Sequence, residues 1–296
     1  MSHDPSEILV SQKYAKRGRY AEVWHRMKRN RGAVFSLILI IVLVLIMIYS
    51  FFFISYEQVT AINAQNRFSP PCSQYFFGTD DMGRDVFLRT LYGTQYSFAV
   101  GFGSIAFSLV IGVFFGAIAG YYGGWIDEAI TRASDVLASI PAILLGMCVI
   151  TVLGANLINL TLAVGVPVIP GFVRMARASV VSQKSNEYVE SAQAIGMSNF
   201  RIVFSQVLPN GLSPLIVVTT ASIGVSILSA SGLSFLGFGI PVPTPEWGAI
   251  ISSGRTFIRT APHITFFPGM FILITSLAFN LLGDGLRDAL DPKLKK

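Results

Sequence analysis

An uninterrupted apolar run near the start of the chain, from Ala33 to Ile54, most limits what this sequence can fold into. It is 22 residues long, carries no charged side chain, and contains 17 Val, Ile, Leu or Phe residues. A helix needs about 20 such residues to cross the hydrocarbon core of a membrane. At roughly 0.3 to 0.6 kcal/mol for each, insertion is favoured by about 5 to 10 kcal/mol. A cleavable signal peptide has a shorter apolar core and a small-residue cleavage site, which residues 49–56 do not offer, so we predict an uncleaved anchor.

Further charge-free stretches predict five more membrane helices. Residues 96–120 predict one helix, and the 38 residues of 136–173 are enough for two with a tight turn near Gly154. Prolines and glycines interrupt the 44 residues that end at Pro245, so we place one helix at 212–231 and the last at 264–282. Lipid offers the backbone no hydrogen-bond partners, and continuous apolar runs exclude the alternating pattern of barrel strands. We therefore predict an all-α polytopic membrane protein with six transmembrane helices in the lipid bilayer.

The distribution of basic residues predicts how these helices are oriented. Charged residues make up 13% of the chain, against about 25% in soluble domains, so the net charge of +6 does not indicate a nucleic-acid partner. Of the 22 Lys and Arg residues, 17 fall on the side that holds both termini and the loop 174–211. Because short cytoplasmic segments are enriched in Lys and Arg, we expect that side to be the cytoplasm.

The sequence offers no residues for catalysis, metal binding or nucleotide hydrolysis. Cys72 lies in a polar loop and Cys148 in an apolar run, so no disulfide is expected, and the three histidines are too scattered to predict a metal site. No Lys follows a Gly, which excludes a Walker A sequence. The predicted spans also lack the ionisable groups of a proton relay. We predict a non-enzymatic chain without its own cofactor that takes its driving force from another protein.

A polar loop at 180–210 interrupts the apolar segments and has the pattern of a short amphipathic helix. Asn186 is a good N-cap, and two glutamates follow it in the first turn, where the helix dipole favours acids. Tyr188, Ala192 and Ile195 follow at spacings of four and three, which predicts an apolar stripe.

The second half of this loop predicts a turn and another helix. Gly196 permits a sharp change of direction, and Ser198 can cap a second short helix that ends before Pro209. The result is a helix–turn–helix lying across the inner face of the membrane. A connector resting on the lipid headgroups is the alternative, but we favour an element that docks on a partner.

The loop resembles the "EAA…G…LP" element of ABC importer permeases, which forms the helix that docks on a separate ATPase. One family position differs, because Ser replaces the middle Ala. The resemblance assigns coupling to the ATPase to Glu190, Ser191, Ala192, Gly196, Leu208 and Pro209.

Three further stretches resemble signatures of the C-type permease subunit of dipeptide, oligopeptide and nickel ABC importers. They are FGTDDMGRD at 77–85, the LSFLGFG and PTPEWG segments within 230–248, and FNLLGDGLRDALDP at 279–292. With the loop, the resemblance covers about residues 20 to 296. It implies a type I ABC importer permease fold in a bacterial cytoplasmic (inner) membrane.

The resemblance also implies partners and a cargo. Such a chain forms half of a translocation pathway with a paralogous permease subunit, two ABC ATPase subunits that bind ATP and Mg, and an extracytoplasmic solute-binding protein. The expected cargo is a di- or oligopeptide. A nickel chelate, glutathione or an opine is the alternative within the family, and an ATP-independent channel or carrier is a less favoured one.

The segments combine into a domain organisation. We expect a cytoplasmic tail at 1–32, a first transmembrane helix at 33–55 and an extracytoplasmic loop at 56–93. A five-helix core with the coupling loop 180–210 follows at 94–285, and a second cytoplasmic tail at 286–296. In the extracytoplasmic part, we expect the charged residues of 80–85 to brace the following helix rather than contact the soluble substrate receptor. We expect Trp247 to anchor at the lipid headgroups rather than belong to a gate or re-entrant segment. Gly112 and Gly116 are spaced for close helix packing.

Overall fold

The computed structural model describes residues 19–290, which are almost entirely helical. The predicted tail residues 1–18 and 291–296, with the basic side chains they carry, lie outside this range. In order, the α-helices are α1 Arg19–Arg29, α2 Arg31–Phe53, α3 Tyr56–Thr60, α4 Val86–Tyr122, α5 Gly124–Ala138, α6 Ala142–Leu153, α7 Leu157–Gly165, α8 Ile169–Lys184, α9 Glu187–Ala194, α10 Asn199–Ile202, α11 Leu208–Asn210, α12 Leu212–Leu233, α13 Trp247–Gly254 and α14 His263–Leu290.

Five helical segments are long and apolar enough to cross a membrane. They are α2, α4, α7 joined to α8 by a 3₁₀ turn, α12 with its π-helical end, and α14. Helices α5 and α6 supply a sixth segment only as a pair, bent by 87°. The prediction of six transmembrane helices is confirmed in this form, and the predicted turn near Gly154 separates α6 from α7.

The third predicted span is the one that differs most from the structure. The charge-free run beginning at Val136 suggested a straight helix, but the chain breaks at residues 139–141. Pro141 has no N–H to donate and restricts Ile140 to extended conformations. The remaining helix α6 has 12 residues, about 18 Å, which is shorter than a hydrocarbon core of about 30 Å.

Several helices extend beyond the apolar runs that predicted them. Helix α4 begins at Val86, inside the predicted loop 56–93, because the Asp85 side chain accepts hydrogen bonds from the backbone N–H groups of Phe87 and Leu88. Helix α8 continues to Lys184 and α14 to Leu290, so the coupling loop and the predicted tail 286–296 both begin with helical residues. Hydropathy marks where lipid contact ends, whereas capping and packing decide where the helix ends.

Helix α4 is the centre of the bundle and packs most extensively on α8. A Cβ on Gly112 would collide with the Cβ of Phe172, and one on Gly116 with the carbonyl oxygen of Val173. The close packing predicted for this glycine pair is therefore confirmed. Around α4, the main apolar core includes Phe98, Phe172, Leu215, Ile227, Trp247, Ile272 and Phe279. By contrast, α2 lies on the outside, and only 17% of its most apolar 18-residue stretch is buried.

Candidate coupling site

The coupling loop contains the helix that the sequence predicted, although its start is formed differently. Asn186 occupies the N-cap position of α9 with an extended backbone, but its side chain makes no capping bond to α9. Its amide Nδ2 instead donates to Gln183 Oε1 at 3.1 Å. Glu187 and Glu190 lie in the first turn as predicted. The dipole of α9 therefore has acidic side chains at its N-terminus but no side-chain cap.

Helix α9 ends in a Schellman motif centred on Gly196. Gly196 has φ +78°, its N–H donates to the Gln193 carbonyl at 2.9 Å, and the N–H of Met197 donates to the Ala192 carbonyl at 3.1 Å. Both are the bonds that define this motif. Since a left-handed backbone costs other residues about 1 to 2 kcal/mol, Gly196 gives the chain the sharp turn that the sequence predicted.

The inward face of α9 differs from the predicted stripe. Val189 and Ala192 are buried in a cluster with Tyr121 and Ile202, whereas Ile195 is 78% exposed. Ile195 is the C-cap residue and the chain reverses directly after it. The buried side of α9 is centred between Val189 and Ala192, and at about 100° per residue Ile195 lies well to one side of it. This part of the stripe prediction was therefore wrong.

The second helix of the loop also continues further than predicted. Ser198 is at its N-cap position, but α10 does not end before Pro209. It runs through a π-helical turn, Val203–Val207, into α11, which contains Pro209. A π turn changes the local bonding pattern of the backbone, so a helix can accommodate a residue that lacks an N–H.

The six residues assigned to coupling divide into two groups. Ala192 is buried, and the partly buried Leu208 packs against both the loop cluster and the main core. Glu190, Ser191, Gly196 and Pro209 are exposed. The first group fixes the loop to the bundle, and the second group is available to a partner.

Two large apolar side chains add to the exposed surface of the loop. Ile195 is 78% exposed and Phe200 is 63% exposed. Both lie near the turn at Gly196. Glu190 lies one turn before Ile195 and forms no ion pair with any residue in the range 19–290. We call these three exposed residues, Glu190, Ile195 and Phe200, the exposed tip.

Contacts to α4, which the sequence analysis did not predict, hold the coupling loop against the bundle. Tyr121 is buried under the loop, and its hydroxyl donates to Asn199 Oδ1 at 3.0 Å. Lys184 Nζ donates to the Tyr121 carbonyl at 2.6 Å. The paired residues lie between 63 and 78 positions apart, so no local pattern could have revealed them.

A region at the opposite end of α4 is built on buried charges. Residues 56–85 and 240–254 pack there, and we call them the Asp80 region. Asp80 and Arg84 are both almost fully buried, with Nε to Oδ2 at 2.6 Å. Arg89 donates from Nη1 to the carbonyls of Val59 at 2.9 Å and Pro243 at 3.3 Å. These charges hold the loop on α4, as the bracing prediction expected.

Trp247 and its neighbour Glu246 are in the core rather than at a lipid boundary. Trp247 is 0% exposed, and its indole Nε1 donates to the Thr90 carbonyl at 2.8 Å. Glu246, 1% exposed, accepts the backbone N–H groups of Gly248 and Ala249 at 2.8 and 2.9 Å. The headgroup-anchor prediction for Trp247 was wrong, because this tryptophan joins α13 to α4. Burial raises the pKa of the Glu246 carboxyl.

Two models of known protein families together match most of the chain. The model of the family described as binding-protein-dependent transport system inner membrane component matches residues 112–296. The model described as N-terminal TM domain of oligopeptide transport permease C matches residues 18–71. Within residues 19–290, no group of three His, Cys, Asp or Glu side chains could hold a metal ion.

Individual relatives agree with the family models. The dipeptide transport system permease protein DppC of Alkalihalophilus pseudofirmus is 41% identical, over 100% of this chain and 97% of its own length. The glutathione transport system permease protein GsiD of Escherichia coli is 42% identical, over 93% of this chain and 90% of its own.

A solved structure supports the fold. An inward-facing form of the MetNI methionine ABC transporter contains a chain that aligns with a TM-score of 0.56 and 19% identity, covering 70% of this chain and 97% of that one. At this identity the likeness concerns the fold alone. With a family model over residues 112–296 and close relatives along the full length, the chain belongs to the binding-protein-dependent transport system inner membrane components, as a C-type permease subunit of an ABC importer.

Proposed function

We propose that this chain forms half of the pathway of an ATP-driven importer for short peptides, and that its coupling loop docks on a separate ATPase. The observation that carries the docking proposal is the exposed tip. Exposing a Leu- or Phe-sized side chain forgoes about 1.5 to 3 kcal/mol of burial. Ile195 and Phe200 can therefore enter an apolar cleft of the ATPase, and Glu190 can contact a basic residue of the same partner.

The proposed partners are those of the family to which the chain belongs. Two ATPases bind ATP and Mg, a paralogous permease supplies the other half of the pathway, and an extracytoplasmic solute-binding protein delivers the cargo. This chain itself has no catalytic role and no cofactor. Closure of the ATPase pair moves the coupling loop, and the helices of the bundle then alternate the access of the pathway.

Docking can be tested by co-purification of the ATPases with Ile195→Asp. We expect this variant to lose them, because a charge would have to enter an apolar cleft. Ile62→Asp is the matched control, since Ile62 is 69% exposed and lies in the Asp80 region. If both variants fold and retain the ATPases equally, the tip is not the docking surface.

The proposed orientation places both termini and the coupling loop on the cytoplasmic side of a bacterial inner membrane. The exposed Cys72 in the Asp80 region can report it. With Cys148 replaced by Ser, a membrane-impermeant maleimide should label Cys72 in intact spheroplasts. A cysteine introduced at Ser198, with both native cysteines removed, should react only after permeabilisation. The reverse pattern would reject the orientation.

Peptide cargo is proposed from the relatives, one of which is named for dipeptides and one for glutathione, itself a tripeptide. The test is uptake of labelled Ala-Ala and of labelled glutathione by vesicles containing the complete complex and its receptor. Dipeptide uptake supports the first proposal, and glutathione uptake alone supports the second. Uptake without ATP would instead favour an ATP-independent carrier.

A further inference from the structure

Tyr121 contacts both helices of the coupling loop from the last turn of α4. Its hydroxyl donates to Asn199 Oδ1 at 3.0 Å, at the start of α10, and accepts from Gln193 Nε2 at 3.3 Å, near the end of α9. These two partners lie on opposite sides of the turn at Gly196. A single phenol therefore fixes the relative position of the two helices and ties both to α4.

The rest of the Tyr121 residue is held as firmly as its hydroxyl. Its side chain is 4% exposed and belongs to the cluster that contains Val189, Ala192 and Ile202. Lys184 Nζ lies 5.4 Å from the ring centroid and bonds the Tyr121 carbonyl. The loop thus cannot shift relative to α4 without breaking polar and apolar contacts at this one residue.

The covalent connection at the start of the loop is less restrictive than Tyr121. Ser185 and Asn186 alone join α8 to α9, whereas Gly211, between α11 and α12, is buried and its carbonyl accepts from Ser179 Oγ. The turn at 185–186 can change its backbone angles while the helices it joins stay rigid. At this end of the loop, the side-chain contacts of Tyr121 are therefore the tighter mechanical connection to the bundle.

Helix α4 continues from Tyr121 to the Asp80 region without a break. It has 37 residues, or about 55 Å at 1.5 Å per residue. Near its other end, Ser97 Oγ lies 3.3 Å from Glu246 Oε1 and accepts the backbone N–H of Trp247 at 3.3 Å. A Cβ on Gly93 would collide with the Pro245 carbonyl. Helix α13 is thus fixed on α4 in the way that the coupling loop is.

We propose that Tyr121 is the positioning residue that transmits movement of the coupling loop into α4, which carries it as a rigid rod to the Asp80 region. This inference rests on the proposed function, since it needs an ATPase docked on the loop. It adds the route inside the chain, which runs through Tyr121 and α4 rather than through the backbone turn between α8 and α9.

The test compares Tyr121→Phe with Tyr122→Phe. Phe keeps the buried ring at position 121 and removes only the hydroxyl. Tyr122 is the next residue, is 48% exposed, and undergoes the same chemical change. The readout is a spin label on Cys72, with Cys148 replaced by Ser, in the purified complex with its ATPases in nanodiscs. Its spectrum is recorded with and without a non-hydrolysable ATP analogue and Mg.

Tyr121→Phe should reduce the fraction of labels that respond to nucleotide by about three- to tenfold, as expected for the loss of hydrogen bonds of ordinary strength. Nucleotide affinity should not change. Tyr122→Phe should respond like the wild type. A purely structural role for Tyr121 would lower thermal stability and ATPase retention instead. Equal responses of the two variants would overturn the proposal, as would a wild-type label that ignores nucleotide.

A second variant avoids the buried position. Asn199 is exposed, so Asn199→Ala should fold normally and lose part of the same response. Because both residues act through one bond, the double variant should fall no further than Tyr121→Phe alone, and additive losses would contradict the shared route. Failure of the proposed function is distinguishable, because the wild-type chain would then not retain the ATPases at all.

Discussion

Charged side chains are buried and paired at one end of α4 and exposed at the other. In the Asp80 region, Asp80, Arg84 and Glu246 are buried and bonded to partners within the chain. In the coupling loop, Glu190 is exposed and Ile195 extends an apolar side chain into solvent. Buried charge is tolerated only when it is paired, and exposed apolar surface indicates a missing partner.

This difference separates residues that stabilise the chain from residues that we propose bind another protein. The buried charges of the first end are paired within the isolated chain, so their substitutions should appear as lost stability. In the proposed function the exposed residues of the other end bind an ATPase, so their substitutions should appear as lost binding or coupling. The four substitutions below test that separation by their effect on the stability of the isolated chain.

Arg84→Ala should have the largest effect on stability. It leaves the Asp80 carboxylate buried without the guanidinium that contacts it at 2.6 Å. Removing one partner of a buried ion pair typically costs about 3 to 5 kcal/mol. The free energy of unfolding in detergent would measure the loss. Arg259→Ala, an equal change of charge at an exposed position, should cost little, and similar losses for both would contradict the bracing role.

Glu246→Gln should cost less, about 1 to 3 kcal/mol, because the amide would present N–H donors to groups that already donate. Glu246 accepts from Ser234 Oγ at 2.9 Å and from two backbone N–H groups. Glu57→Gln, at an exposed position, is the matched control. Equal thermal stability of the two variants would show that the Glu246 carboxylate is not required.

The pH dependence of the same residue has a definite sign. Burial raises the pKa of the Glu246 carboxyl above its ordinary value of 4.5. Between 4.5 and the raised pKa, the folded chain keeps a proton that the unfolded chain has released. The contribution of Glu246 to stability therefore falls as pH rises through this window and is constant above it. Glu246→Gln should remove that slope, and an unchanged pH profile would reject the assignment.

The sequence predicted the parts of the fold that depend on local composition. Charge-free runs predicted the spans, and Gly196 predicted the turn, because both properties belong to residues close together in the chain. The hydropathy pattern missed the bend before α6, because hydropathy does not record helix direction, although Pro141 marks the break in the sequence. It also placed Trp247 at a lipid boundary and Ile195 on a buried face, because burial depends on which distant helix packs there. The partnership of Tyr121 with Asn199 required the tertiary fold.

Gly196→Val should have a small effect on stability and a larger one on coupling. Its φ of +78° costs a residue with a Cβ about 1 to 2 kcal/mol, although no atom lies within 4 Å of the added Cβ. The energetic cost therefore comes from the backbone of the turn between α9 and α10 and not from a steric clash. We expect reduced transport per ATP hydrolysed. Wild-type transport and ATPase activity together would mean that the turn has no role in coupling.

Ile195→Ser should have the smallest effect on the isolated chain and still weaken its complex. The side chain is 78% exposed, so removing it should change the free energy of unfolding by no more than about 0.5 kcal/mol. If an ATPase cleft buries Ile195, the same change should weaken binding by about 1 to 3 kcal/mol, or roughly fivefold to 140-fold in Kd. Titration of the ATPase against the purified permease would measure it. Val189→Ser, at a buried position on the same helix, should lower the free energy of unfolding more than it weakens ATPase binding, because Val189 packs inside the chain. Equal stability losses at the two positions would show that the loop has no free face, and the contrast between the two ends of α4 would fail.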